Sequence, residues 1–184
     1  MADQHKKHQH RGKTSEGHLD KAAILDNLGI EPGQIVLDAG CGNGFMAKEF
    51  AKLTGPGGKV YALDADAEAI EILQNETQGT IIEPLVGDIT DKTKLAAASL
   101  DLIFLATVLH GFSRPQLDGF QQEIRRLLKP NGKLAIVEFK QEETPFGPPL
   151  AIRFSPERLQ MTIGLTPTRL VEAGKFFYLQ MFEV

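Results

Sequence analysis

The stretch Ile35-Val36-Leu37-Asp38-Ala39-Gly40-Cys41-Gly42-Asn43-Gly44 constrains this chain more than any other. An apolar run that ends in an acid and alternating glycines reads as a buried strand and a sharp turn, followed by a helix over Phe45 to Leu53. Such a turn lets a ligand approach the backbone without Cβ interference and aims a helix N-terminus at it. The spacing departs from G-x-G-x-x-G, because the third glycine comes one residue early and Phe45 stands in its place. Asp38 at the strand end would meet a pyrophosphate with like charge, whereas it suits an ammonium. The pattern disfavours a dinucleotide and points to an amino acid joined to a nucleoside.

Composition narrows the setting. With 184 residues, 42% of them apolar, the chain has material for one ordinary domain. The reading is a domain over 22–184 preceded by a basic, His-rich arm over 1–21 that holds His5, His8, His10 and His18. The histidines have no fixed scaffold between them, so a solvated arm is expected and a metal site is not. No apolar run is long enough to span a bilayer and the polar start lacks a signal-like core, so a cytoplasmic protein without membrane insertion is expected. A formal net charge of -4 disfavours a general nucleic-acid binder, which needs a basic face. Cys41 is the single cysteine, which removes any disulfide or multi-cysteine metal centre and leaves it a small residue in the turn.

Along the chain, strand-like and helix-like segments alternate, the pattern of a parallel α/β sheet with crossover helices. Strands are predicted at Ile35 to Asp38, Lys59 to Leu63, Ile81 to Val86, Asp101 to Ala106 and Lys133 to Phe139. Helices are predicted at Phe45 to Leu53, Ala67 to Gln74, Lys92 to Ala97, Pro115 to Leu128 and Ser155 to Ile163. Two β-rich runs close the chain, Thr166 to Val171 and Lys175 to Val184, divided by Glu172-Ala173-Gly174. So short a connection excludes a parallel crossover and requires an antiparallel hairpin.

An acid followed by G-x-G-x-G, in a sheet that ends in such a hairpin, resembles the class I S-adenosylmethionine (SAM)-dependent methyltransferases, near the methyltransferase type 11 and ubiquinone/menaquinone methyltransferase group. The Lys129-Pro130-Asn131-Gly132 turn adds to the likeness, with Asn131 in place of a usual glycine. The resemblance covers about Ile24 to Val184 and implies a three-layer Rossmann-like fold. Its seven-stranded, mostly parallel sheet would have the order 3-2-1-4-5-7-6. It implies SAM as cofactor, held by Asp38, Gly40, Cys41, Gly42, Gly44, Asp64, Ala65, Asp88, Ile89 and Ala106. Asp64, 26 residues beyond Asp38, lies near the distance at which Rossmann-like folds present an acid to ribose hydroxyls. The competing role, capping the next helix, suits Asp66 better. In Gly87-Asp88-Ile89 the likeness gives Asp88 to the adenine amino group and Ile89 to the ring.

The same likeness places Ala106-Thr107-Val108-Leu109-His110 on the acceptor side. His110 is the leading candidate base or acceptor-orienting donor, and Glu138 is the second candidate, for acceptor contact, with Lys140 beside it to neutralise it. The expected function is methyl transfer from SAM to a small-molecule acceptor by SN2 displacement. The alternatives are a non-catalytic SAM-binding or partner-binding subunit, or a methyltransferase for protein or RNA. The absence of Asn-Pro-Pro-Tyr or Asp-Pro-Pro-Tyr after the fourth strand disfavours amino-methylating nucleic-acid enzymes. The arm and the segment Gln141 to Arg153, with Phe146 and Gly147-Pro148-Pro149, are the stretches free to cover the cleft.

Overall fold

The computed structural model of the protein describes residues 16–184. Seven strands form one sheet: β1 (Ile35–Ala39), β2 (Lys59–Asp64), β3 (Ile82–Val86), β4 (Leu100–Ala106), β5 (Leu128–Phe139), β6 (Thr166–Glu172) and β7 (Phe177–Glu183). Their order is β3-β2-β1-β4-β5-β7-β6. The first five strands are parallel, and β7 runs antiparallel to both β5 and β6. Sheet order and terminal hairpin both agree with the sequence-based expectation.

Alternation along the strands divides the core into two faces. Val36, Phe104, Val137 and Phe177 point to one side, where they meet Ile24 of α1 (Lys21–Leu28), Phe50 of α2 (Phe45–Thr54) and Leu73 of α3 (Ala67–Glu76). Leu37, Ile103, Ile136 and Phe182 point to the other, against Phe120 of α4 (Arg114–Leu127) and Leu159 of α5 (Pro156–Ile163). Helices on both faces are why the inner strands read as nearly unbroken apolar runs. Phe50 meets Phe104 edge-on with ring centroids 5.1 Å apart, which fixes α2 over the centre of the sheet. Truncating Phe50 to Ala would cost ~3 to 5 kcal/mol.

Most element ends fall within two residues of the sequence reading, and four departures have a physical cause in the structure. The predicted helix at Lys92 to Ala97 does not form, because the groups of this stretch bond to α4 instead. Thr93 donates N–H and Oγ1–H to the buried Glu123, and Arg126 donates to the carbonyls of Leu95 and Thr93. Once those side chains satisfy the backbone, an isolated turn of helix offers it nothing further. Helix α1 forms where none was predicted. Its eight residues are held by the Asp20 cap on Ala23 N–H, a left-handed Gly29 and the burial of Ile24 and Leu28. Strand β5 begins at Leu128 rather than Lys133, and the register shift between Leu100 and Leu102 absorbs Lys129-Pro130-Asn131-Gly132. Asn131 there is left-handed at φ 63°. Finally, β7 begins at Phe177, because residues 173–176 make a longer turn closed by the Ala173 N–H on Phe177 O.

Both outermost strands contain a proline, Pro84 in β3 and Pro167 in β6. No helix among the described residues is long and apolar enough to cross a membrane.

Candidate functional site

The carboxyl ends of β1, β2 and β3 come together around the glycine turn, the edge at which open α/β sheets bind ligands. Asp38 ends nearly sealed at 3% exposed. Burial pushes its carboxyl up to about 7, and the Asp64 charge adds to the rise, while the backbone N–H of Ala47 in α2 opposes it. Its Oδ2 is the one buried side-chain oxygen or nitrogen among the described residues that has no hydrogen-bond partner. A buried carboxylate oxygen without a donor is costly, and a cationic donor is what it lacks.

The three glycines do different work. A Cβ on Gly40 would stand 2.7 Å from Val108 Cγ2, and one on Gly44 would overlap Leu73 of α3. Those two glycines serve packing. Gly42, left-handed at φ +52°, has nothing within 4 Å of a Cβ position and leaves the backbone open to a ligand. Its N–H donates to Asp64 Oδ2 at 2.8 Å, and Asp66 N–H donates to Asp64 Oδ1 at 2.9 Å. Each Asp64 oxygen therefore holds one amide and keeps a lone pair for a hydroxyl. Asp66, as expected, caps α3 through Glu68 and Ala69 N–H.

The remaining candidates take varied positions. Asp88 Oδ1 is bonded by both the N–H and the hydroxyl of Thr90 at 2.8 Å, which folds the turn after β3. Ile89 is only 4% exposed and packs in the core, so little of it faces outward. Ala65 is exposed beside Asp64, and Ala106 is half-buried at the end of β4. Cys41 is buried; burial and the Asp38 and Asp64 charges push its thiol well up, which keeps it unreactive.

On the other side of the cleft, Thr107 follows β4 in a left-handed conformation at φ 57°. That is a strained choice for a β-branched residue, and nothing in the sequence signals it. The turn sets Val108 against Gly40 and carries the chain into a 3-10 turn over Leu109–Gly111. There His110 Nδ1 lies 2.8 Å from Oε2 of Glu138, which is fully buried on β5. The expected Lys140 neutralisation of Glu138 does not occur, since Lys140 pairs with Glu172 instead.

The segment after β5 is held by one side chain that the sequence reading passed over. Arg153 is 3% exposed and bonds Pro148 O at 2.9 Å, Glu142 O at 2.6 Å, Lys140 O at 3.1 Å and Thr144 Oγ1 at 2.7 Å, with its guanidinium 5.0 Å from the Phe139 ring. The loop so shaped presents Phe146, on which His18 stacks at 4.2 Å. Glu16, in the same 3-10 turn as His18, accepts from Asn43 of the glycine turn at 3.2 Å. The described end of the arm thus spans from the glycine turn to the 140–152 loop; His5, His8 and His10 lie outside the described residues.

A SAM molecule fits this residue set. Its ammonium could supply the donor that the orphaned Asp38 oxygen lacks, its ribose hydroxyls could meet the free lone pairs of Asp64, and Gly42 leaves its backbone clear. Fold and site together define a Rossmann-like SAM-dependent methyltransferase domain. Residues 36–132 match the model of the methyltransferase domain family, and the chain belongs to the class I SAM-dependent methyltransferases. It is similar to a ubiquinone/menaquinone biosynthesis C-methyltransferase of Bordetella avium, 32% identical over 129 residues, 70% of this chain and 50% of that protein. An uncharacterized methyltransferase of Synechocystis is 34% identical over 130 residues, 70% of this chain and 58% of that one. The chain therefore spans only half or slightly more of these relatives. A crystal structure of a SAM-dependent methyltransferase from Aquifex aeolicus superposes with a TM-score of 0.82 at 31% identity, covering 92% of each chain.

Proposed function

We propose that this chain transfers a methyl group from SAM to a small-molecule acceptor. The observation that carries the reading is the buried, partnerless Asp38 oxygen beside an open Gly42 and a half-satisfied Asp64. In this reading Asp38 holds the ammonium, Gly42 and its neighbours in the turn carry the amino-acid part, and Asp64 holds the ribose. Asp88 and Ala65 border the base, Ile89 backs it from the core, and Ala106 edges the cleft. When bound, the cofactor supplies an electrophilic methyl on a sulfonium. The protein then has to align the acceptor and exclude water, and His110 stands on the acceptor side for that purpose.

The small size of the acceptor is supported by the cover. The His18–Phe146 stack and the Glu16–Asn43 bond tie the described end of the arm to both the 140–152 loop and the glycine turn, a cover that favours a compact acceptor over a polymer. A formal net charge of -4 supports the same choice over nucleic acid. The Bordetella relative, by its name, acts in quinone biosynthesis, which also favours a small acceptor.

The test is transfer of labelled methyl from SAM into an extract of the source cells, separated into small-molecule and acid-precipitable fractions, with an Asp38→Ala, Asp64→Ala double variant as control. Label should enter the small-molecule fraction and vanish with the double variant. Label confined to the precipitate would move the acceptor to protein or RNA. No label, with SAM still bound, would leave a binding subunit.

A further inference from the structure

His110 and Glu138 are joined more closely than two separate wall residues would need to be. Oε2 of Glu138 lies 2.8 Å from His110 Nδ1, and Oε1 accepts the His110 backbone N–H at 3.2 Å. The Phe139 N–H adds a third donor at 3.3 Å. The carboxylate is 0% exposed. Three charged or titratable groups in neighbouring segments of the chain are committed elsewhere. Lys140 pairs with Glu172, Arg153 is spent on loop carbonyls, and Tyr178 of β7, whose hydroxyl is pushed up by burial and by the Glu138 charge, donates to Phe154 O at 2.9 Å. Histidine is thus the side chain on which Glu138 acts.

A carboxylate accepting at Nδ1 fixes the proton on that nitrogen and leaves the lone pair on Nε2. None of the hydrogen bonds among the described residues uses Nε2, and the His110 side chain is 14% exposed on the turn that follows β4 at the carboxyl edge of the sheet. The 3-10 turn bonds and the Phe139 ring, edge-on at 6.0 Å, keep the imidazole from rotating away.

We propose that His110 is the general base for an acceptor that arrives as a neutral hydroxyl, and that Glu138 is its positioning residue rather than an acceptor contact. This rests on the transferase reading above. The acceptor O–H bond breaks and its proton passes to Nε2, while the acceptor's electron pair takes the methyl and the methyl–sulfur pair stays on sulfur. Charge balances, because the sulfonium charge ends as an imidazolium held against the Glu138 carboxylate. The proton then leaves to solvent. A thiolate or a free amine would need no such pair.

The test compares the full-length wild type with His110→Asn and Glu138→Gln. Asn keeps an N–H for Glu138 but has no second nitrogen, so the buried carboxylate stays partnered. First, 15N-histidine-labelled protein saturated with S-adenosylhomocysteine is examined by NMR with the ring neutral. The wild type should show the His110 proton on Nδ1, and Glu138→Gln should move the Nδ1–H signal, because a carboxylate no longer accepts from it. A proton on Nε2, or a signal that Glu138→Gln leaves unmoved, would overturn the pairing. Second, single-turnover methyl transfer is followed against pH on the small-molecule fraction of a source-cell extract. Wild-type rates should rise with pH to a plateau. His110→Asn should fall by about 10²-fold or more at neutral pH and rise steadily with pH, since the acceptor must then ionise unaided. Glu138→Gln should lower the plateau rate. A wild-type profile in His110→Asn would end the base assignment. Failure of the wild type to transfer any label while it binds S-adenosylhomocysteine would instead overturn the transferase reading itself.

Discussion

Asp38 is held in an environment that favours its neutral form, while its proposed task requires the charge. The ordinary value of such a carboxyl is 3.8 and here it stands at about 7. Between those values the folded, cofactor-free protein keeps a proton that the unfolded chain has released. This group's contribution to stability therefore declines as pH rises through that window and stays at its lowest above it. Asp38→Asn removes the penalty, so urea unfolding at pH 8 without cofactor should show a more stable protein, by at most ~4 kcal/mol. Calorimetry on the same variant should show SAM binding weakened by roughly 1.5 to 3 kcal/mol, the range for a hydrogen bond to a charged group. In the parent, affinity should fall as pH drops below about 7, approaching tenfold per unit. An Asn variant with unchanged stability and affinity would sink both halves of the argument. The glycines offer a second contrast. Gly44→Ala should lower stability by roughly 1 to 3 kcal/mol through overlap with Leu73. Gly42→Ala, with open space around it, should cost only ~1 to 2 kcal/mol of backbone strain yet lose most cofactor affinity. Full SAM affinity in Gly42→Ala would contradict this division of roles.

Among the elements, the 140–152 loop depends on a single guanidinium. Four bonds from a buried Arg153 to loop oxygens, with no carboxylate partner among the described residues, mean that Arg153→Ala leaves several acceptors bare at once. Protease cleavage within 140–152 should accelerate by 10-fold or more, with SAM affinity changed less, because Gly42 and Asp64 hold each other through their own bond and touch this loop only by way of the arm. Arg153→Lys should rescue little, since one ammonium cannot reach the fork of acceptors. The turn at 91–99 obeys the same logic, with Arg126 and Glu123 of α4 supplying what a helix would have supplied internally. These are the elements that escaped the sequence. Lys92 to Ala97 has good helix formers, and only a partner thirty residues away overrides them. Helix α1 escaped because its eight residues are stabilised by burial of Ile24 and Leu28 against the sheet, a tertiary effect. By contrast β1, β2, β4 and the cap at Asp66 were legible, because apolar runs bounded by glycine, proline or aspartate are local signals. At the site, His110 and Glu138 were each visible, but their contact depends on a left-handed Thr107 that no sequence pattern announces.

For the molecule as a whole, the sheet order divides labour. Strands β1 to β3 carry the acids and glycines around the proposed cofactor position, while β4 and β5 carry the His110–Glu138 pair and the covered loop. The hairpin was readable from chain connectivity, since a short final turn permits one pairing sense only, whereas the strand order came with the family resemblance. The prolines at the two margins bear on behaviour in crowded solution. A backbone without an N–H cannot complete a hydrogen-bonded ladder, and β3 keeps its full pairing with β2 despite Pro84, while β6 shifts register beside Pro167. Replacing both prolines with Val should raise light scattering of a concentrated sample on mild warming, with activity per folded molecule unchanged. Scattering equal to the parent's would show that charge rather than proline guards the margins. A sheet with a missing donor on each outer strand is a poor template: a misfolded chain arriving at either margin finds no continuous row of donors to copy, and growth of an aggregate stops there.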